Sequence, residues 1–135
     1  MPESEFPAAL NKRLVLVVED DPLLLKNLAA CFAAAGCAVM TASDGVIGLK
    51  RFEENRPDVV VTDIIMPDRE GVETIMAMKA RDPAVPILAI SGGGRIGAGE
   101  FLSLAVGLGA DAGLAKPFRS GDLLAAVADL LSREP

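Results

Sequence analysis

The sequence of 135 residues contains no histidine, no tryptophan and no tyrosine. The absence of histidine excludes a Ser-His-Asp catalytic triad, a histidine metal ligand and a phosphohistidine on this chain. The two cysteines, Cys31 and Cys37, match no zinc or redox motif, and we interpret them as small apolar packing residues. They give no indication of an oxidising compartment.

Basic residues are also in deficit, since 13 Lys and Arg stand against 19 Asp and Glu, giving a net charge of −6. Binding of nucleic acid through its phosphates needs clustered cations, so this balance argues against it. The longest apolar stretch, 29–40, is interrupted by Gly36 and falls short of the about 20 residues that a membrane helix needs. The N-terminus MPESEFPAAL lacks the apolar region of a signal peptide. We therefore expect a cytoplasmic protein with neither a membrane nor a nucleic-acid partner.

Apolar runs alternate with helical patterns along the chain. Strands are predicted at 13–18, 38–42, 58–63, 85–91 and 112–116, and helices at 22–36, 44–55, 71–81, 99–108 and 120–134. Asp21, Asp44 and Ser120 are the predicted helix N-caps. The second helix has a predicted apolar face of Val46, Leu49 and Phe52.

Five βα units in regular alternation predict an α/β fold, a parallel sheet with helices on both faces. The strands are apolar throughout, as expected of strands buried on both faces. Residues 1–12 carry little pattern and are interpreted as a short N-terminal tail, and residues 13–134 as one domain.

Charged and hydroxyl side chains stand where the predicted strands end, and in an open α/β sheet functional groups gather at that carboxyl edge. They are Glu19, Asp20 and Asp21 after the first strand, Asp63 after the third, Ser91 after the fourth and Lys116 after the fifth. Clustered carboxylates repel one another, and a divalent cation or the Lys116 ammonium would relieve this. Magnesium suits an all-oxygen site. Asp21 is equally well explained as a helix cap.

Four motifs together resemble the receiver domain of two-component response regulators: LVLVVEDD, DVVVTDIIMPDREG, PILAISGG and AKPF. The resemblance covers about residues 13–133, and each motif falls at a strand end in the family's order. It implies a flavodoxin-like sheet of strand order 2-1-3-4-5. It further implies a response regulator of the stand-alone, single-domain type. It also implies a signalling protein that catalyses only its own aspartyl phosphorylation and dephosphorylation, and not an enzyme in the usual sense.

The resemblance assigns a role to each matching residue. Asp63 corresponds to the phosphoacceptor, and Ser91 and Lys116 to the residues that meet the phosphoryl group. Magnesium or manganese would be held by Asp20 and Asp63 directly, by Glu19 through water, and by the backbone carbonyl of Ile65. A cis peptide bond between Lys116 and Pro117 is implied as well.

The switch departs from the family's pattern. The family couples the serine to an aromatic residue three positions before the lysine, and here that position is Gly113. We therefore assign the candidate switch to Ser91, Gly92 and the glycine-rich stretch that follows. Phe118 is a possible substitute for the aromatic residue, although core packing is its favoured interpretation.

The expected phosphodonor is a sensor histidine kinase or a histidine phosphotransfer protein. A downstream protein would bind the face formed by the predicted helix at 99–108, the fifth strand and the final helix. We expect a monomer or a weak dimer.

Three alternatives compete with this interpretation. Gly92, Gly94 and Gly97 spell G-x-G-x-x-G, but a dinucleotide site needs an acid at the carboxyl end of the next strand, and Asp111 precedes its strand. A hydrolase of the haloacid dehalogenase type would carry a D-x-D motif, whereas here Ile65 stands at the position of the second aspartate. A degenerate receiver, acting as an interaction module without phosphorylation, is the third.

Overall fold

The computed structural model describes residues 6–63, 70–91, 107 and 109–133. In chain order its elements are a 3-10 helix at Ala8–Leu10, β1 at Leu14–Val18, α1 at Pro22–Ala34, β2 at Ala38–Ala42, α2 at Gly45–Glu54, β3 at Val59–Asp63, α3 at Glu70–Arg81, β4 at Ile87–Ser91, β5 at Ala112–Ala115 and a C-terminal helix at Ser120–Ser132. A helix able to cross a bilayer is not found among the described residues.

The five strands form one parallel sheet in the order β2-β1-β3-β4-β5. The predicted fold class and strand order are therefore confirmed. α1 and the C-terminal helix cover one face of the sheet, and α2 and α3 cover the other. Of the predicted helix at 99–108 only residue 107 is described, and residues 92–100 of the glycine-rich stretch lie outside the described residues.

β1 and β3 carry runs of buried side chains, because successive residues point to opposite faces and helices cover both faces of the sheet. Val15, Val17, Val59 and Val61 enter the core beneath α1 and the C-terminal helix. The intervening residues Leu16, Val18 and Val60 enter the core beneath α2 and α3. Each such side chain contributes roughly 1.5–3 kcal/mol by leaving water. The carboxyl ends of β1 and β3 are thereby held in fixed positions.

Two of the three predicted helix caps are confirmed. The Asp21 carboxylate accepts hydrogen bonds from the backbone N–H groups of Leu23 and Leu24, at 3.0 and 3.3 Å. The Asp44 carboxylate accepts one from the N–H of Ile47 at 2.8 Å. Both caps start helices at the carboxyl edge of the sheet, where the candidate site lies.

The third predicted cap, Ser120, is wrong, because Ser120 is the first residue inside the C-terminal helix. The residue before the helix is Arg119, and its backbone N–H donates to the Asp122 carboxylate at 3.2 Å. The acid in the first helical turn therefore accepts from the N–H that precedes the helix, whereas a capping serine would accept from an N–H inside the first turn.

The buried face of α2 also differs from the prediction. Phe52 is buried and Leu49 packs partly into the core, but Val46 is 73% exposed. α2 approaches β1 through Gly48, where an added Cβ would lie 2.8 Å from Cγ2 of Val18. This close contact gives the small residue a core position that a count of large apolar residues cannot find.

Strand boundaries shift by one or two residues. β4 begins at Ile87, two residues later than predicted, and Pro86, which has no N–H to donate to the ladder, stands just outside it. β5 ends at Ala115, so Lys116 directly follows the strand. Its backbone N–H still donates to the carbonyl of Ser91 at 2.8 Å, which continues the pairing with β4 for one more bond.

Residues 6–12 of the predicted N-terminal tail pack onto the fold. Leu10 is fully buried in the core beneath α1 and the C-terminal helix, and Phe6 packs partly against the same cluster. The backbone N–H of Lys12 donates to the carbonyl of Gly36 at 2.9 Å, next to the end of α1. Gly36 has a φ of +94°, a left-handed conformation that glycine adopts without penalty.

Replacement of Gly48 by alanine should lower the free energy of unfolding by about 1 kcal/mol. The gain in helix propensity, up to about 1 kcal/mol, is outweighed by forcing a methyl group against Val18, since overpacking costs about 1–3 kcal/mol. Urea-induced unfolding measures the change. Gly121→Ala is the control, because a Cβ there meets nothing within 4 Å. A Gly48→Ala variant as stable as the wild type would contradict this packing.

Candidate phosphoacceptor and metal site

Four strand ends meet at the carboxyl edge of the sheet. Glu19 and Asp20 directly follow β1, Asp63 and Ser91 are the last residues of β3 and β4, and Lys116 directly follows β5. The register sets their heights, because Asp63 lies opposite Ile90 and Ser91 opposite Ala115. The predicted site residues that lie within the described part of the chain are thus together at this edge.

Three carboxyl groups form a cluster at this edge. One oxygen from each of Glu19, Asp20 and Asp63 lies within 4.8 Å of the others. Glu19 is 1% exposed and Asp63 4% exposed, whereas Asp20 is open to solvent. Asp20 is therefore the acid of this cluster that solvent reaches.

The Lys116 ammonium bridges the two buried carboxylates. Its Nζ lies 3.1 Å from Oε1 of Glu19 and 3.3 Å from Oδ2 of Asp63. The lysine side chain is itself mostly buried, so solvent screens these contacts only in part. The peptide bond from Lys116 to Pro117 is cis, as the resemblance implies.

The pKa of Glu19 is raised above its ordinary value of 4.5. Burial is the main cause, since it penalises the charged form, and the hydrogen bonds from Asp21 and Lys116 oppose it. Burial acts to lower the pKa of Lys116, but the hydrogen bond to Glu19 and the negative charge of Asp63 outweigh it, so the net change is upward. The lysine therefore stays charged in the cluster.

Asp21 has a second contact that the sequence analysis missed. Besides capping α1, it donates its backbone N–H to Oε2 of Glu19 at 3.1 Å. Both oxygens of Glu19 are therefore engaged, one by Asp21 and the other by Lys116. An acid two residues before a helix-capping aspartate is the sequence signal that could have indicated this contact.

The candidate switch residues are described only in part. Ser91 is fully buried. Gly113 pairs with Ala89 in the middle of β5. Phe118 packs partly against the core beneath α1 and the C-terminal helix, which agrees with its favoured interpretation. Gly92 and the backbone carbonyl of Ile65 lie outside the described residues.

Asp111 lies at the opposite edge of the sheet, before β5, as expected from the sequence. Its Oδ2 accepts hydrogen bonds from Nζ of Lys79 at 2.7 Å and from the backbone N–H of Ile87 at 2.8 Å. In a dinucleotide-binding site, the acid that hydrogen-bonds the ribose must lie at the carboxyl edge of the sheet. This position therefore argues against the dinucleotide interpretation of the glycine-rich stretch.

Comparison with known proteins decides the family. The profile of the response regulator receiver domain matches residues 15–128. The chain belongs to the receiver-domain family of response regulators. The matched range includes every residue of the carboxyl-edge cluster.

Two curated relatives illustrate the similarity. The chain is 40% identical over 119 residues to the transcriptional regulatory protein PrrA of Mycobacterium tuberculosis, covering 88% of this chain and 50% of the relative. It is 33% identical over 125 residues to the alkaline phosphatase synthesis transcriptional regulatory protein PhoP of Bacillus subtilis, covering 92% of this chain and 50% of the relative. The receiver chain thus spans about half the length of these relatives.

Solved structures show the same fold. A response regulator receiver domain protein from Clostridium thermocellum superposes with a TM-score of 0.80 at 31% identity, over 90% of this chain and 95% of that one. A putative response regulator from Chloroflexus aurantiacus superposes with a TM-score of 0.81 at 27% identity, over 91% of this chain and all of that one.

Replacement of Lys116 by methionine should raise the pKa of Glu19 further and lower stability by roughly 1–3 kcal/mol near neutral pH, because it removes a charged hydrogen-bond partner from two buried acids. A raised pKa in the folded state favours folding at low pH, and the advantage disappears as the pH rises through it. The loss should therefore be larger near neutrality than near the ordinary glutamate pKa of 4.5.

Carbon-13 NMR of the glutamate carboxyl groups during a pH titration in metal-free buffer measures the first effect, and urea unfolding at both pH values measures the second. Lys50→Met, at an exposed position on α2, serves as the control. A Glu19 midpoint that is unchanged or lower in Lys116→Met would show that the lysine does not control this acid.

Proposed function

We propose that this receiver domain accepts a phosphoryl group on Asp63 from a phosphohistidine of a partner protein. The observation that carries the proposal is the Lys116 ammonium within 3.3 Å of a buried Asp63 carboxylate, beside two further acids. An Asp63 oxygen would attack phosphorus as the bond from phosphorus to the imidazole nitrogen breaks, leaving its electron pair on the imidazole. Water would later hydrolyse the acyl phosphate and reset the domain.

The carboxyl cluster fits a divalent cation. Three acids face one ammonium, so the described part of the cluster has an excess of negative charge, and all three offer oxygen ligands. Asp20 and Asp63 would hold magnesium or manganese directly, and Glu19, whose two oxygens already accept hydrogen bonds, would act through water. When bound, the ion would neutralise charge on the transferred phosphoryl group.

The chain's own residues supply the rest of the chemistry. Phosphoryl transfer depends more on positioning and charge neutralisation than on a strong nucleophile. The buried strand β3 fixes Asp63, and Lys116, 3.3 Å from that carboxylate, would pair with the oxygens of the incoming group. Ser91, at the end of β4, would donate a hydrogen bond from its hydroxyl to the same phosphoryl group. Its movement toward that group would transmit the phosphorylation to the rest of the domain.

The proposed partners follow from this chemistry. A chain without histidine needs a donor from outside, which we propose to be a sensor histidine kinase or a histidine phosphotransfer protein. The downstream partner would be a protein that binds the face formed by the predicted helix at 99–108, β5 and the C-terminal helix. The predicted cytoplasmic location, stand-alone organisation, lack of a nucleic-acid partner and monomeric or weakly dimeric state stay predictions.

A degenerate receiver is the second candidate function, and Gly113 is the observation in its favour. Without an aromatic side chain on β5, the family's coupling from serine to aromatic residue has no second member. The domain would then bind partners without regard to phosphorylation. Phosphoryl uptake by Asp63 without any change in partner binding would support this candidate.

Incubation with a small-molecule phosphodonor and magnesium should add one phosphoryl group to the wild-type protein, as measured by intact-protein mass spectrometry. Asp63→Asn should take up none, because it removes the nucleophile. Asp44→Asn is the matched control, because asparagine also caps helices and should keep α2 and the adduct intact. A wild type without an adduct, or an adduct that survives in Asp63→Asn, would refute the proposal.

Asp20→Asn should weaken magnesium binding by roughly tenfold or more. Even the loss of a residue that only hydrogen-bonds to a metal ligand typically lowers metal affinity by that factor. Isothermal titration calorimetry with magnesium chloride measures the affinity. Asp21→Asn is the control, because Asp21 stands outside the carboxyl cluster and asparagine preserves its cap. Equal losses in the two variants would show that the effect is general electrostatics and not ligation.

A further inference from the structure

The strand that delivers Lys116 to the site is held weakly by its own side chains. β5 has four residues, Ala112, Gly113, Leu114 and Ala115, and each is only half-buried. It stands at the edge of the sheet beside β4. Gly113 adds backbone freedom, and the two alanines bury little apolar surface. The position of Lys116 therefore depends on the backbone pairing of β5 with β4 and on how the strand is fixed at its ends.

At its amino end the strand is fixed by Asp111. The Asp111 backbone N–H donates to the carbonyl of Ile87 at 2.9 Å, and its carboxylate accepts from the N–H of the same residue at 2.8 Å. The same carboxylate oxygen accepts from Lys79 at 2.7 Å, and the lysine also donates to the carbonyl of Val85 at 2.6 Å. Asp111 thus joins the starts of β4 and β5 to the last turn of α3.

We call this arrangement, an aspartate before a strand that accepts a backbone N–H of the neighbouring strand and pairs with a basic side chain, an aspartate bracket. A second aspartate bracket lies at the same amino edge of the sheet. Asp58, the residue before β3, accepts the backbone N–H of Leu14 at 2.7 Å, as Asp111 accepts that of Ile87. A basic side chain pairs with it too, since a nitrogen of Arg13 lies 3.8 Å away. The strands at this bracket, β1 and β3, bury every residue but Leu14 and have neighbours on both sides. The chain therefore offers two similar brackets, one on a well-packed pair of strands and one on a weakly packed edge strand.

We propose that Asp111, held by Lys79, is a positioning residue for Lys116. It fixes the start of β5, and the strand carries that position over four residues to the lysine that bridges Glu19 and Asp63. The proposal rests on the proposed phosphoacceptor function for its kinetic consequence. Its geometric part, the placement of the Lys116 ammonium, can be tested without any phosphoryl transfer.

The test compares the two brackets by matched substitutions. Lys79→Met and Asp111→Ala should slow phosphoryl uptake from a small-molecule phosphodonor with magnesium by roughly 10- to 100-fold, since small misplacements of a reacting group cost this much. Both should also change the nitrogen-15 NMR signal of the Lys116 ammonium in the unphosphorylated protein. Lys79→Arg keeps the charge and should restore both properties.

The variants Arg13→Met and Asp58→Ala are the matched controls. Asp58→Ala should lose stability to urea, because it removes the acceptor of the Leu14 N–H, and Arg13→Met should lose little, because its pair with Asp58 is exposed. Both should keep the uptake rate and the Lys116 signal of the wild type. Equal effects at both brackets, or an unchanged Lys116 signal in Lys79→Met, would overturn the proposal. If the wild type takes up no phosphoryl group, the phosphoacceptor function fails, and the Lys116 signal alone decides the positioning role.

Discussion

The burial of two carboxyl groups beside one ammonium is the constraint on which this receiver domain depends. Glu19 and Asp63 follow or end strands whose side chains fill both cores, and both acids are almost fully buried. Charges in such a place need partners, and Lys116 supplies one. The parallel sheet is what allows this, since it brings three distant parts of the chain to one edge.

The same constraint explains why the site could be found in the sequence. Continuous apolar strands have sharp ends, and a charge at such an end stands out against the run before it, as Asp63 does after VVVT. The parallel topology then follows from the alternation of elements, and it assigns all those ends to one edge. Prediction of this site therefore required only the order of the strands and helices, and not the details of packing. The residues found in this way are Glu19, Asp20, Asp63, Ser91 and Lys116.

Features that depend on packing could not be predicted in this way. Val46 has the right spacing for the buried face of α2, but the approach of Gly48 to Val18 decides which side of the helix meets the sheet. Leu10 belongs to the core although its neighbours in sequence show no periodicity. Ser120 is a good capping residue by type, yet the chain enters the helix one residue earlier and uses Asp122. For Val46 and Leu10 a contact between distant segments overrides the local pattern, and for Ser120 one local capping contact replaces another.

Asp111 shows how one residue changes meaning when its edge is known. In the sequence it is an acid that follows a glycine-rich stretch, and in the fold it stands at the end of the sheet remote from Glu19 and Asp63. A strand with a large aromatic residue at position 113 could be held by burial of that residue, whereas glycine contributes no side chain. The backbone pairing with β4 and the hydrogen bonds at the ends of β5 then carry more of the restraint on the strand. The missing aromatic residue and the aspartate bracket are in this view two aspects of one arrangement, in which polar contacts at the amino edge set the position of a charge at the carboxyl edge.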